Sequence, residues 1–260
     1  MLGSDATVEQ LFAETLRGDY EDDSAWDAVH KLRQLGSREV FNIAARWCAS
    51  ENALERARGL DVLAQLGKTA GHSSNSFPDE SYAVVVNAIN HEADVRPLNS
   101  AISALGHLEN PGAVPLIAQF HSHESPETRF SVAFALGSFP NDPLSVSTLL
   151  KLMRDSDEDV RDWATFGLGV LGEQDSSAIR DALVSALADA DADVSEEALV
   201  GLAKRRDTRV LQKLLAELQE PTVTSRVIEA AYTLLGLPDE EKDWSPQDYA
   251  SALKERFQLQ

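Results

Sequence analysis

The sequence predicts an all-α protein, a right-handed α-α superhelix of about seven helix pairs closed by a C-terminal capping helix. Three observations carry this. A segment recurs along the chain at a step in the low thirties, with one longer step. Each copy divides into two stretches of helically spaced apolar residues joined by a short acidic turn. Ala and Leu dominate while aromatics make up only 7%, a mix that suits closely packed helices.

The clearest copy is Asp159-Val160-Arg161-Asp162-Trp163-Ala164-Thr165-Phe166-Gly167-Leu168-Gly169. From Asp159 to Asp193, a step of 34, the pattern returns as Asp193-Val194-Ser195-Glu196-Glu197-Ala198-Leu199. From Asp159 back to Glu127, a step of 32, it returns as Glu127-Thr128-Arg129-Phe130-Ser131-Val132-Ala133. Weaker copies end at Leu32, Leu63, Leu105 and near Leu234. First helices are expected near Thr7, Ser37, Asp79, Gly112, Pro143, Ser176 and Thr208. Residues 176–188 illustrate them, with Ile179, Leu183, Ala186 and Leu187 on one face. Second helices are expected to start after aspartates such as Asp159 and Asp193, which can accept backbone N–H bonds and complement the helix dipole. Small residues recur within them at Ala28, Gly59, Ala164 and Ala198 and let paired helices approach closely. Val160, Ala164, Leu168 and Leu171 are the expected core of the reference helix.

Residues 67–78, rich in Gly, Ser and Asn, explain the long step between Leu63 and Leu105 and read as an extended surface loop. No other linker-like stretch interrupts the recurrence, so residues 1–260 are expected to form one domain. Ser245-Pro246, an N-cap followed by proline at the first helical position, opens a last helix. Its Tyr249, Leu253 and Phe257 fall on one side, as a terminal cap requires.

Charge narrows the function. Asp plus Glu number 43 against 23 Lys plus Arg, a net of −20. Nucleic acids and anionic membranes both need cationic groups, so neither is expected as a ligand. A basic protein partner, steered by the field, is the functional reading, and enhanced solubility is the plain one. The single cysteine, Cys48, fits a reducing, cytoplasmic setting and reads as a small buried residue. Neither a signal peptide nor a membrane span is expected.

The Asp-Val-Arg opening and the Ala-Leu-Gly or Gly-Leu-Gly close resemble HEAT repeats of the phycobilin-lyase (PBS-lyase) HEAT-like type. A narrower likeness rests on Val160-Arg161-Asp162-Trp163-Ala164-Thr165-Phe166, Ile179-Arg180-Asp181 and the run from Glu196 to Leu211. These resemble the YibA-like HEAT proteins, which are encoded beside bacterial Rhs polymorphic toxins and regarded as immunity proteins. The likeness covers the C-terminal half better than the N-terminal half.

In such solenoids the second helices line the concave side. Residues two and six after Val160, and their counterparts in other copies, then point away from the core, and residues three after it lie at the edge. The first row reads Trp26, Ala57, Asn99, Phe130, Asp162 and Glu196. The second reads His30, Asp61, Ser103, Phe134, Phe166 and Val200. The edge row reads Asp27, Arg58, Ser100, Ser131, Trp163 and Glu197. The candidate protein-binding residues are therefore Trp26, Asp27, His30, Asp61, Phe130, Phe134, Asp162, Trp163, Phe166, Glu196 and Glu197. Aromatic anchors among carboxylates suit a basic partner. The competing reading seals rings such as Trp163 and Phe134 between repeats.

No catalytic set, cofactor or metal is expected. Gly67-Lys68-Thr69 lacks the earlier glycine and the preceding strand of a phosphate loop. His91-Glu92 and His123-Glu124 invite comparison with deoxyhypusine hydroxylase, a HEAT-like enzyme that holds two irons with His-Glu pairs on the inner helices. Here those inner positions carry Trp26-Asp27, Phe130-Ser131, Asp162-Trp163 and Glu196-Glu197, and the His-Glu pairs fall in turns. His121 and His123 could meet a metal, but as turn histidines they read as solvated, and His72 and His107 read as surface or packing residues. The function expected is a non-enzymatic scaffold that captures a protein, possible toxin immunity being what the narrower resemblance implies. The alternative is an accessory or chaperone-like subunit of a bilin lyase or another protein-modifying enzyme.

Overall fold

In the computed structural model the described residues are 6–237 and 244–259. They form fifteen α-helices. The expected domain span of 1–260 includes residues 1–5, 238–243 and 260, which lie outside the described residues. Seven antiparallel-type pairs follow one another: α1 (Val8–Glu14) with α2 (Asp23–Leu35), α3 (Arg38–Trp47) with α4 (Ala53–Ala64), α5 (Pro78–Ile89) with α6 (Val95–Leu108), and α7 (Val114–Ala118) with α8 (Pro126–Gly137). Then come α9 (Pro143–Leu152) with α10 (Glu158–Phe166), α11 (Ser177–Ala186) with α12 (Ala192–Lys204), and α13 (Leu211–Glu217) with α14 (Ser225–Leu235). The last helix, α15 (Pro246–Arg256), packs on α14 with Tyr249 and Leu253 fully buried.

The chain divides into two compact units, Met1–Ser138 and Phe139–Gln260. In the first, α4, α6 and α8 pack side by side; in the second, α10, α12 and α14 do so. First helices of successive pairs meet far less. Within each unit the second helices therefore form the more closely packed layer, termed the inner layer.

The sequence dictates where helices begin. Thr7 and Ser245 form reciprocal capping boxes with Gln10 and Asp248, and Ser37, Asn52, Ser125, Asp142, Ser176 and Thr224 each accept a backbone N–H. In the reference repeats the caps are not Asp159 and Asp193. Asp157 accepts from Val160 N at 3.2 Å and Asp191 from Val194 N at 3.1 Å. Asp159 and Asp193 lie in the first turn, where their charge faces the positive end of the dipole.

Small residues set the helix spacing. A Cβ on Gly59 of α4 would stand 2.6 Å from the Ala44 carbonyl of α3, and one on Gly201 of α12 would stand 2.7 Å from Gly169 Cα. Val160, Ala164 and Leu168 are buried as expected, but Leu171 is 43% exposed. The reason is a π-helical turn over residues 167–171 that follows α10 and breaks the 3.6-residue register. Arg205, buried beyond the end of α12, closes this turn. Its guanidinium donates to the carbonyls of Leu168, Gly169, Gly172, Gln174 and Gly201 at 2.8–3.1 Å. Backbone acceptors orphaned by the helix end are thereby satisfied.

A second arginine pattern joins successive repeats. Arg161 donates to the Asp155 carbonyl of its own turn at 2.9 Å and forms a bidentate pair with Asp189 of the next turn at 2.8 and 2.9 Å. Arg56 repeats this with the Ser50 and Glu51 carbonyls and with Glu92. Arg129 holds the His123 and Glu124 carbonyls. The Glu of His91-Glu92 thus has a structural ion-pair partner. Among the described residues no three metal-ligating side chains converge.

The loop of residues 67–78 is tied at its base. Gly67 N donates to the Arg33 carbonyl and Ser76 N to the Leu66 carbonyl, both at 2.7 Å, while the buried Asn75 amide donates to the Leu63 carbonyl at 2.8 Å. Residues 69–74 are exposed. Cys48 is buried, and that burial pushes its thiol up to about 12.

Candidate binding face of the second helices

In the first unit, the expected face turns on a buried arginine. Arg58 of α4 is completely buried; its Nε donates to the Thr15 carbonyl at 2.9 Å and its Nη2 to the Tyr20 carbonyl at 2.7 Å. Its guanidinium lies over the Tyr20 ring at 4.0 Å and over the Trp26 ring at 5.0 Å, and that of Arg33 lies 5.7 Å from the Trp26 ring. Trp26 is therefore half-buried on a cationic platform.

Asp61, placed by periodicity on the wet row, is instead buried at 7% exposure. It accepts from Tyr20 Oη at 2.7 Å and faces Arg58 at 3.4 Å. Burial pushes its carboxyl up, and the Tyr20 hydroxyl and the two arginines oppose that. Arg58, Ser100 and Ser131 of the edge row and Ala57 of the first row are also buried, because inner-layer helices pack flank to flank. Asp27 and His30 are exposed, as expected. Phe130 and Phe134 of α8 are half-buried; the Phe134 ring meets His107 edge-on at 5.4 Å. His107 is itself pushed down to about 4 by burial and by nearby Arg33 and Lys68.

In the second unit, α10, α12 and α14 bring together Asp162, Trp163, Phe166, Glu196, Glu197 and Arg226. Trp163 and Phe166 are half-buried and meet edge-on at 5.6 Å. Glu196 accepts from Thr224 Oγ1 at 2.7 Å. Glu197, expected at a wet edge, is 6% exposed, and Val200 of the second row is buried too. One oxygen of Glu197 pairs with Arg226 at 2.7 Å, and the Arg226 guanidinium lies 5.5 Å from the Phe166 ring. The other oxygen of Glu197, and Oδ1 of Asp162, are buried without a hydrogen-bond partner. Burial raises Glu197 to about 7, with Asp162, Glu229 and Asp193 adding to the rise and Arg226 opposing it. Burial likewise raises Asp162 to about 6, aided by Asp193 and Asp191.

Comparison with known proteins accords with this architecture. Residues 82–169 and 146–236 match the family described as HEAT repeats. The chain belongs to the HEAT-repeat family. It is similar to Protein YibA of Escherichia coli, with 32% identity over 206 residues, 77% of this chain and 71% of YibA. The crystal structure of YibA superposes with a TM-score of 0.72 at 24% identity, covering 96% of this chain and 93% of that one. The CpcE–CpcF complex of phycocyanin lyase from a Nostoc species shares the fold at a TM-score of 0.51 and 15% identity, with 97% of each chain covered. No helix among the described residues of this HEAT-repeat chain is long and apolar enough to cross a membrane.

Periodicity found the inner helices and their aromatics. It missed Arg226, Tyr20 and the partners of Arg58, because contacts 29 to 41 residues away, such as Arg226 with Glu197 and Tyr20 with Asp61, leave no local trace.

Proposed function

We propose that this HEAT-repeat chain is a non-enzymatic scaffold of the cytoplasm that captures a basic protein partner on its second-helix face. One observation supports the reading most: Trp163 and Phe166 stay partly exposed near the carboxylates of Asp162, Glu196 and Glu197. Burying the rest of such a ring on binding contributes about 1–2 kcal/mol by area, and the carboxylates select a cationic partner. Phe130 and Phe134, with Asp27 and His30, extend the candidate contact set in the first unit. Trp26 and Asp61 contribute there through the network that holds Arg58.

The likeness to YibA supports a narrower reading, in which the partner is an Rhs-type toxin domain and binding blocks its active surface. The accessory-subunit reading has the fold of the CpcE–CpcF complex in its favour. Two assays separate them. Survival of cells that express the toxin domain together with this chain supports immunity. Bilin absorbance on a client after co-expression with pigment supports the lyase role.

The face itself is tested with the Phe130→Ala/Phe166→Ala variant in pull-downs from native lysate read by mass spectrometry. The partner recovered by the wild type is expected to be lost from the variant while helicity stays unchanged. Equal recovery by both contradicts the assignment.

A further inference from the structure

The second unit contains polar groups that the repeat fold does not use. Glu197 is nine-tenths buried, and one of its oxygens has no partner. Asp162, one helix away, also has a buried oxygen without a partner. Isolated carboxylate oxygens are costly to bury, and a helical stack has no need of them. Two other shielded acids of this unit are matched: Asp189 is held by Arg161 and Asp207 by Arg180 and Arg209. The charged groups acting on the pair are Asp159 on α10, Asp191 and Asp193 at the start of α12, and Arg226 and Glu229 on α14. Only one of them is a cation. Arg226 divides its guanidinium between Glu197 at 2.7 Å and Glu229 at 3.4 Å. Its position 5.5 Å from the Phe166 ring shows that a guanidinium fits beside that ring.

We propose that Asp162 and Glu197, on the same helix face as the Trp163–Phe166 ring pair, form a socket for an arginine side chain presented by the protein partner. A guanidinium suits it better than an ammonium. Its forked donors can serve two carboxylates at once, and its flat face stacks on rings. The proposal deepens the binding role given above and rests on it for the source of the arginine. Because a bound cation stabilises both ionised carboxylates, binding releases protons near pH 6–7 and weakens on acidification.

The test is a carboxyl-carbon NMR titration of the full chain with N-acetyl-arginine amide, and with N-acetyl-citrulline amide as the neutral isostere. The arginine compound is expected to shift the Asp162 and Glu197 resonances saturably and to lower their titration midpoints. Asp162→Asn, which removes an unpaired charge and retains the fold, is expected to weaken binding about tenfold. Glu197→Gln provides a second variant. Equal shifts from citrulline, no saturation, or a bound water exchanging at the site with no response to arginine all overturn the proposal. No partner is needed for this experiment. If it fails while the Phe130→Ala/Phe166→Ala variant still loses the captured protein, the socket is wrong and the face stands. Saturation without any such captured protein leaves the socket and removes the face.

Discussion

Two buried charges decide the behaviour of single residues. Arg58 is completely enclosed, and its guanidinium contacts Tyr20, Trp26, the Thr15 carbonyl and Asp61. Replacing it with Met removes one of the two arginines that oppose the burial of Asp61 and empties the enclosed site, so a loss of about 3–5 kcal/mol is expected in urea denaturation. Adding Asp61→Asn should restore part of that stability. Glu197 acts in the opposite sense. Its folded-state value, raised by burial to about 7, exceeds the ordinary 4.5. Between these values the folded chain holds a proton that the unfolded chain has released, so acidification through this window stabilises, and the gain is absent above pH 7. Glu197→Gln cannot titrate. The Tm of this variant minus that of the wild type should therefore rise from pH 5 to pH 8, and a flat difference contradicts the burial of an ionisable Glu197.

At the scale of elements, helix ends and helix crossings carry the fold. Arg205 satisfies five carbonyls around the π-helical end of α10. Arg205→Ala is expected to cost about 2–4 kcal/mol, read as the midpoint of urea unfolding, since buried acceptors are left unpaired. Arg205→Lys should recover less than half, because one ammonium cannot span the same set. Gly59→Ala is expected to destabilise by about 1–3 kcal/mol through overpacking against Ala44 and Cys48.

The same elements explain what was legible. Thr7, Ser37, Ser176 and Ser245 announce helices because capping is chemistry within a few residues, and all four are N-caps. Leu171 was misplaced because the π turn answers to Arg205, far along the chain. Periodicity assigns Asp61 to an outward row and Glu197 to the edge row because a period gives an angle but not the width of the buried stripe. Flank-to-flank packing of inner helices widens that stripe, and it covers Arg58, Asp61 and Glu197 while leaving Trp163 and Phe166 partly exposed.

At the scale of the whole molecule, the net charge of −20 sets the expected mode of association. Fields of that sign accelerate encounter with a cationic partner and are screened by salt. The uninterrupted recurrence supports the proposal that the chain unfolds as one domain, which requires one calorimetric transition rather than one for each compact unit. The central claim concerns the partly exposed rings among acids. It is tested most directly by the Kd of the captured protein for the wild type and for Phe130→Ala/Phe166→Ala, each measured at low and high salt. A weakening of at least about tenfold in the variant, together with a marked loss of affinity at high salt for the wild type, is the predicted result. Equal Kd values for the two proteins, or affinity indifferent to salt, contradict it.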